Sequence, residues 1–295
     1  MSNKHRILVT GANGQLGYEL RRLGGASPND YIFTDVAELD ITDAKAVDAM
    51  VGSEKCDVII NCAAYTNVDR AEEEPLVAEA INAHAVGNLA RAAAKHNATL
   101  FHISTDYVFG DEGNTPLSED MPTRPLGVYG RTKLQGEKAI AESGCKAIII
   151  RTAWLYSEAG NNFLKTMLRL TSEREHINVV FDQVGTPTYA GDLALALFSI
   201  IEGDMYAGRE GIYHFSNEGV CSWYDFAVEI ARAVGNSRCN IEPCRSKDFP
   251  TKATRPSYSV LDKDKIKRVF GIVIPHWRES MFYCLKRLLA QNQSK

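Results

Sequence analysis

The sequence predicts an α/β fold, a doubly wound parallel sheet joined to a smaller, discontinuous C-terminal α/β unit. Three observations carry this. Short β-branched runs alternate with helical patterns through the first half, a glycine turn follows the first run directly, and the alternation breaks after about residue 155. Fully apolar strands separated by helices are the pattern of a parallel sheet covered on both faces.

The elements read as follows. Ile7-Leu8-Val9-Thr10 is a buried strand, followed by the turn and a helix from about Gln15. Tyr31 to Thr34, Val58 to Asn61, Leu100 to Ser104 and Lys146 to Arg151 are further strands. Helical patterns fall between them at about 43–51, 75–96 and 129–143, the second with Pro75 near its first turn. After the break, a helix is expected at Phe163 to Thr171, a short strand at Val179 to Phe181 and a turn at Thr186 to Thr188. Tyr213-His214-Phe215 is a candidate to rejoin the main sheet. The expected division is 1–155 with a returning segment about 187–215 for the first unit, and 156–186 with 216–295 for the second.

Composition narrows the class. The 45% hydrophobic and 24% charged fractions are those of a soluble globular protein, and a net charge of -4 gives no reason to expect nucleic acid or membrane as partner. The apolar stretches are shorter than a bilayer span, and the first residues show no signal-peptide core, so the expected location is cytoplasmic. Seven cysteines without a C-x-x-C pair read as free thiols rather than a metal site.

Gly11-Ala12-Asn13-Gly14-Gln15-Leu16-Gly17 leaves the first strand and opens a helix. Glycines there permit a tight turn and let the backbone approach a pyrophosphate, whose charge the amides of the helix N-terminus bind. This context defines a Rossmann-type site, although G-x-x-G-x-x-G differs from the usual G-x-G-x-x-G. Asp35 ends the second strand, where a carboxylate would bond the adenosine ribose. No Arg or Lys adjoins it, which leans towards NADH while leaving NADPH open. Asp40 and Ile41 are candidates to flank the adenine, with Asp40 alternatively capping the next helix. Ala63, Ala64 and Tyr65 leave the third clear strand, where small residues would let a cofactor lie against backbone.

Tyr129 and Lys133 stand four residues apart, on one face of a helix. A free phenol, with a pKa of about 10, is a poor donor near neutrality. A neighbouring ammonium and a nicotinamide cation would lower it, letting Tyr129 protonate a carbonyl oxygen as hydride reaches the carbon. Ser104-Thr105-Asp106 follows the fourth strand at the sheet edge where ligands of such folds collect, and the Thr105 hydroxyl could hold the same oxygen. The histidines offer no catalytic role; His102, inside an apolar strand, reads as a satisfied core residue.

With these motifs in place, the chain resembles the extended short-chain dehydrogenase/reductases, specifically the dTDP-4-dehydrorhamnose reductase family. The resemblance runs over nearly the whole sequence, through the glycine turn, Asn61-Cys-Ala-Ala-Tyr-Thr-Asn-Val-Asp69, Ser104-Thr-Asp-Tyr-Val-Phe109, Tyr129-Gly-x-x-Lys133, Arg151-Thr-Ala-Trp-Leu-Tyr156, Gly160-Asn-Asn-Phe163, Gly185-Thr-Pro-Thr188 and Arg255-Pro-Ser-Tyr-Ser259. The last departs from the family's usual Asn at position 258, where this chain has Tyr258.

The resemblance implies reduction of the 4-keto group of dTDP-4-dehydro-6-deoxy-L-mannose by NADPH or NADH. It makes Tyr129 the acid, with Lys133 tuning it and holding the nicotinamide ribose. Thr105 and Asp106 would meet the substrate, Trp154 the sugar, and Arg255 the substrate pyrophosphate, while Asn162 and Phe163 are candidates for its nucleotide. Members occur as monomers or homodimers, some with Mg2+ between subunits; no oxygen-ligand cluster here predicts the ion. Two alternatives stay open. A nucleotide-sugar dehydratase would carry Asp-Glu where Asp106-Tyr107 stands, and an epimerase is set aside only by the family motifs. A non-catalytic regulatory subunit of methionine adenosyltransferase shares the resemblance, against which the complete Thr105, Tyr129 and Lys133 set argues.

Overall fold

The structure, a computed structural model, describes residues 4–111, 113–236 and 238–293. The first half runs β1 (Arg6–Thr10), α1 (Gln15–Gly24), β2 (Asp30–Thr34), α2 (Ala44–Ser53), β3 (Val58–Asn61), α3 (Val68–Glu73), α4 (Pro75–Glu79), α5 (Ala85–His96), β4 (Thr99–Thr105), α6 (Val128–Ser143) and β5 (Lys146–Thr152). There follow β6 (Leu155–Tyr156), α7 (Phe163–Glu173), β7 (His176–Val180), β8 (Val184–Gly185), β9 (Thr188–Tyr189), α8 (Ala190–Glu202) and β10 (Gly211–His214). The last elements are β11 (Cys221–Ser222), α9 (Trp223–Ala233), β12 (Asn240–Cys244), α10 (Asp264–Phe270) and α11 (Trp277–Gln293).

The main sheet has six strands in the order β10-β5-β4-β3-β1-β2, all paired in parallel. Successive side chains leave opposite faces. Ile7, Val9, Val58 and Ile60 pack on one side against Leu16 and Leu20 of α1 and Leu193, Leu197 and Ile200 of α8. Leu8 and Ile59 pack on the other against Val47 and Val51 of α2, Val86 and Leu89 of α5 and Ile140 of α6. Both faces are covered, which is why these strands read as unbroken apolar runs rather than alternating ones.

The segment expected to rejoin the sheet does so as β10 on β5. A separate core of Leu164, Met167, Ile177, Val179, Phe226, Ile230, Trp277, Met281 and Leu285 gathers α7, β7, α9 and α11. Here β7 pairs with β12, running from Asn240 to Cys244. Of residues 186–188, expected as a turn, Thr186 and Pro187 link the two short strands β8 and β9, and Thr188 opens β9.

The helix expected over 75–96 is not uniform: α4 gives way to a π-helical stretch at Ala80–His84 before α5. That stretch turns Asn82 towards α6. Its amide donates to Tyr65 O at 3.1 Å and Thr132 Oγ1 at 3.2 Å, and its carbonyl sits where a side chain at Gly136 would be, 2.3 Å from a Cβ placed there. Register also sets a polar row across three adjacent strands. Thr10 stands opposite Asn61 and Asn61 opposite His102, so the last residues of β1 and β3 and the middle of β4 carry hydrogen-bonding side chains side by side.

Candidate active site

The glycine turn is built by close approach. Gly11 has φ +65°, and a Cβ there would lie 2.6 Å from Ala63 N; one at Gly17 would lie 2.5 Å from Ala12 Cα. Gly14 caps α1 with no side-chain bond to its first amides, and no acid stands in the first turn. Those amides therefore face the cleft as an anion site.

A cavity of about 880 Å³ opens on one side of the turn, lined by Gly11, Asp35, Asp40, Ile41, Ala63 and Ala64 among others. A second, of about 750 Å³, is lined on the other side by Gln15, Leu16, Thr105, Asp106, Tyr129, Lys133 and Trp154 among others. Gly14, Cys62 and Ala64 line both. The two form one groove across the C-terminal strand ends, with an acid at one end and the tyrosine at the other. A dinucleotide with its pyrophosphate at Gly14 fits this shape and donor set.

Asp35 accepts from Asn13 N and Val36 N, each at 2.9 Å, which ties it to the turn. Asp40 accepts from Thr42 N and Oγ1. The capping role considered for Asp40 belongs instead to Asp43, which receives Lys45 N and Ala46 N. The Tyr65 side chain turns away from the groove, its hydroxyl donating to Glu74 Oε2 at 2.7 Å.

At the other end, β4 delivers Thr105, whose hydroxyl accepts from Tyr107 N at 3.2 Å and donates to Asp106 Oδ1 at 2.9 Å. Tyr129 lies in the first turn of α6, edge-on to Tyr107 with ring centroids 5.5 Å apart. Its neighbour must be glycine, because a Cβ at Gly130 would fall 2.1 Å from Tyr107 O. This contact seats α6 against the turn after β4. It brings Tyr129 and Thr105 to the same end of the cleft, with the Thr105 side chain near enough to favour the ionised phenol. Lys133, one turn on, donates to Ile103 O at 2.6 Å and meets His102 Nε2 at 3.3 Å.

The electrostatics differ from the expectation. Burial pushes the Tyr129 phenol up to about 12; the Thr105 side chain opposes this and the Asp106 carboxylate adds to it. Lys133 does not bond the phenol, and burial pulls its own ammonium down to about 8, against the pull of Glu137 and Cys62. The phenol is thus held protonated by the chain, rather than drawn towards phenolate. Asp106 is pushed up to about 6 by burial, against hydrogen bonds from Thr105 and Ser259, and its Oδ2 has no protein partner.

On the substrate side Trp154 has φ +48°, a conformation bulky residues rarely adopt. Its ring lies where a Cβ at Gly185 would be, 2.8 Å away. Phe163 and Arg255 line the same cleft. They also border an adjoining cavity of about 940 Å³ between α7, β7 and α9. Arg255 is gripped by Asp69, with Nη2 to Oδ2 at 2.8 Å and Nη1 to Oδ1 at 3.3 Å. Asn162 is spent on structure: Oδ1 caps α7 through Lys165 N, and Nδ2 donates to Gln15 Oε1 and Ser157 O.

Trp223, Tyr107 and Asp69 are among the lining residues to which the sequence assigned no role. A legible signal existed for the place of Trp223, since Ser222 and Asp225 form a capping box around it. Its stacking on Trp154 depends on tertiary packing alone.

A parallel sheet with a glycine turn, a Thr-Tyr-Lys set at its C-terminal edge and a second cavity beside it define an extended short-chain dehydrogenase/reductase. The family model described as the RmlD substrate binding domain matches residues 5–290. A dTDP-4-dehydrorhamnose reductase of Aggregatibacter actinomycetemcomitans is 42% identical over 94% of this chain and 97% of the relative. Among solved structures, a dTDP-4-dehydrorhamnose reductase of Clostridium acetobutylicum superposes with a TM-score of 0.91 at 42% identity, covering 96% of this chain and 99% of that one. Another from Bacillus anthracis, in complex with NADP, has a TM-score of 0.90 at 40% identity, covering 97% and 100%. The chain belongs to the dTDP-4-dehydrorhamnose reductase family of oxidoreductases. Among the described residues no helix is long and apolar enough to cross a membrane, and no group of three or more His, Cys, Asp or Glu is placed to hold a metal ion.

Proposed function

We propose that this chain reduces the 4-keto group of dTDP-4-dehydro-6-deoxy-L-mannose to give dTDP-L-rhamnose, with Tyr129 as proton donor. The observation that carries the proposal is that Tyr129, Thr105 and Lys133 line one end of a groove continuous with the glycine turn. Bound NADPH or NADH supplies the hydride.

The chain's own residues do the rest. Thr105 and Tyr129 receive the substrate carbonyl oxygen between their hydroxyls. Hydride adds to the carbon, the C–O π electrons pass to oxygen, and the Tyr129 proton moves to that oxygen to complete the alcohol. A phenol held near 12 keeps its proton at neutral pH and still yields it to an alkoxide, the stronger base. Lys133, one helical turn from Tyr129 and lining the same cleft, would hold the nicotinamide ribose. Asp106, with an unpartnered oxygen, is placed to accept a sugar hydroxyl. Trp154 and Phe163 bound the sugar end, and Arg255 suits the diphosphate because a guanidinium matches phosphate oxygens in pairs. The seven free cysteines support the reducing cytoplasm as the setting.

The test follows loss of reduced nicotinamide absorbance with the dTDP-ketosugar, in wild type and in Tyr129→Phe. The variant is expected to lose roughly 10²–10⁴-fold in kcat. Full activity in it removes Tyr129 from the mechanism, and turnover without stoichiometric consumption of the reduced cofactor rejects the reductase reading.

A further inference from the structure

His102 lies wholly buried in β4 and takes no direct part in the chemistry above. Its neighbours determine which of its nitrogens carries the proton. Ala63 N, a backbone amide that can only donate, gives its hydrogen to Asn61 Oδ1 at 3.1 Å, and Thr10 Oγ1 donates to the same oxygen at 2.8 Å. The Asn61 amide is therefore fixed with its oxygen towards β1 and its nitrogen towards His102. That nitrogen meets His102 Nδ1 at 3.0 Å. It donates, so Nδ1 is an acceptor without hydrogen.

A neutral imidazole then carries its one proton on Nε2. Burial and the neighbouring Lys133 both hold the ring neutral. The Nε2–H points at Lys133 Nζ, 3.3 Å away. An ammonium has only hydrogens to present there, whereas an amine has a lone pair for His102 and can still donate to Ile103 O.

We propose that His102 is a positioning residue: locked by Thr10, Asn61 and Ala63 into its Nε2–H form, it donates to Lys133 and favours the neutral amine. The other groups facing Lys133 are Cys62, Ile103 O, and Glu137 on its own helix. Glu137, the one carboxylate among them, is drawn off by two bonds from Arg151 and one from Ser104. Burial already brings the charge change of this lysine down to about 8, and the strand register that aligns Thr10, Asn61 and His102 adds a donor that opposes the ammonium. The row links the glycine turn of the cofactor groove to the catalytic helix through side chains alone.

The inference rests on Lys133 belonging to the reducing centre, but its tests require no turnover, so their failure is separate from failure of the Tyr129→Phe assay. Nitrogen NMR of ligand-free, histidine-labelled enzyme reads the tautomer directly. The Nε2–H form is expected at His102; the Nδ1–H form or an imidazolium overturns the proposal. Carbon NMR of lysine-labelled enzyme then follows the Lys133 titration, assigned by its loss in Lys133→Met. In His102→Phe the midpoint is expected to rise by about one pH unit, roughly tenfold in proton affinity, because the opposing donor is gone. An unchanged or lowered midpoint overturns the proposal. Should that variant fail to fold, the tautomer measurement on wild type decides.

Discussion

The indole of Trp154 lies flat on that of Trp223, ring centroids 3.5 Å apart and planes 10° from parallel. One comes from the turn after β5 and the other opens α9, so the stack joins the main sheet to the C-terminal core. Phe163 of α7 tilts against Trp223 at 4.6 Å. An aromatic pair is worth about 0.5–1.5 kcal/mol beyond its burial. Trp223→Ala should therefore release Trp154 from its φ +48° pose and enlarge the sugar end of the cleft. We expect at least tenfold lower kcat/KM, together with loss of the exciton signal of the stacked indoles in circular dichroism. Trp223→Phe should restore much of the activity. If Trp223→Ala abolishes the signal yet turns over normally, the stack has no part in the sugar site.

Asp106 gives a prediction about stability against pH. Burial raises its folded pKa from 3.8 to about 6. Between these values the folded chain holds a proton that the unfolded chain has lost, so stability falls as pH rises through that window and stays lower above it. Two pH units of raised affinity correspond to a penalty on the order of 3 kcal/mol. Asp106→Asn keeps an acceptor for Thr105 and removes the ionisation. It is expected to melt higher than wild type at about pH 7 and to lose that advantage near pH 4, while its KM for the sugar nucleotide rises. Equal melting differences at both pH values would show that Asp106 does not titrate in this range.

Asp69 and Arg255 explain how a loop far along the chain reaches the cleft. Arg255 is held by Asp69 and Lys252 pairs with Glu73, which straps residues 252–255 onto α3. Asp69 is kept below its ordinary pKa chiefly by the Arg255 hydrogen bond. Removing the guanidinium should cost substrate binding more than turnover: for Arg255→Ala we expect KM to rise roughly 10–100-fold with kcat within a few-fold, as fits loss of charged hydrogen bonds worth about 1.5–3 kcal/mol. Calorimetry with dTDP alone should show the same loss. Unchanged dTDP affinity would leave Arg255 as a strap and nothing more.

Much of this was readable from the chain, for identifiable reasons. Ile7 to Val9 and Val58 to Ile60 are apolar at every position because both sheet faces are covered, so their burial and their place in the sheet were legible together. Tyr129 and Lys133 share a helix face by spacing alone. What spacing could not supply was the sign of the Tyr129 shift, which depends on how completely α6 seals against Tyr107 O. Nor could it show that Asn162 is occupied by Gln15, 147 residues away. His102 read as a satisfied core residue, and it is satisfied; only the strand register reveals that Lys133 is one of its partners.

The glycines of the turn should separate by function, although the motif treats them alike. A methyl at Gly17 would lie 2.5 Å from Ala12 Cα, a backbone atom that cannot yield. Gly17→Ala is expected to force α1 off β1 and lower stability by about 1–3 kcal/mol, as overpacking does. At Gly14 the nearest atom to an added Cβ is Gly11 O at 3.2 Å, a contact that slight adjustment relieves. Yet Gly14 lines both halves of the groove, where a pyrophosphate must touch backbone. Gly14→Ala should therefore melt within about 1 kcal/mol of wild type and bind NADPH or NADH at least tenfold more weakly. Thermal melts and cofactor titrations of the two variants make the comparison. Should Gly14→Ala bind cofactor as wild type does, the pyrophosphate does not sit at Gly14, and the continuity of the groove has been misread.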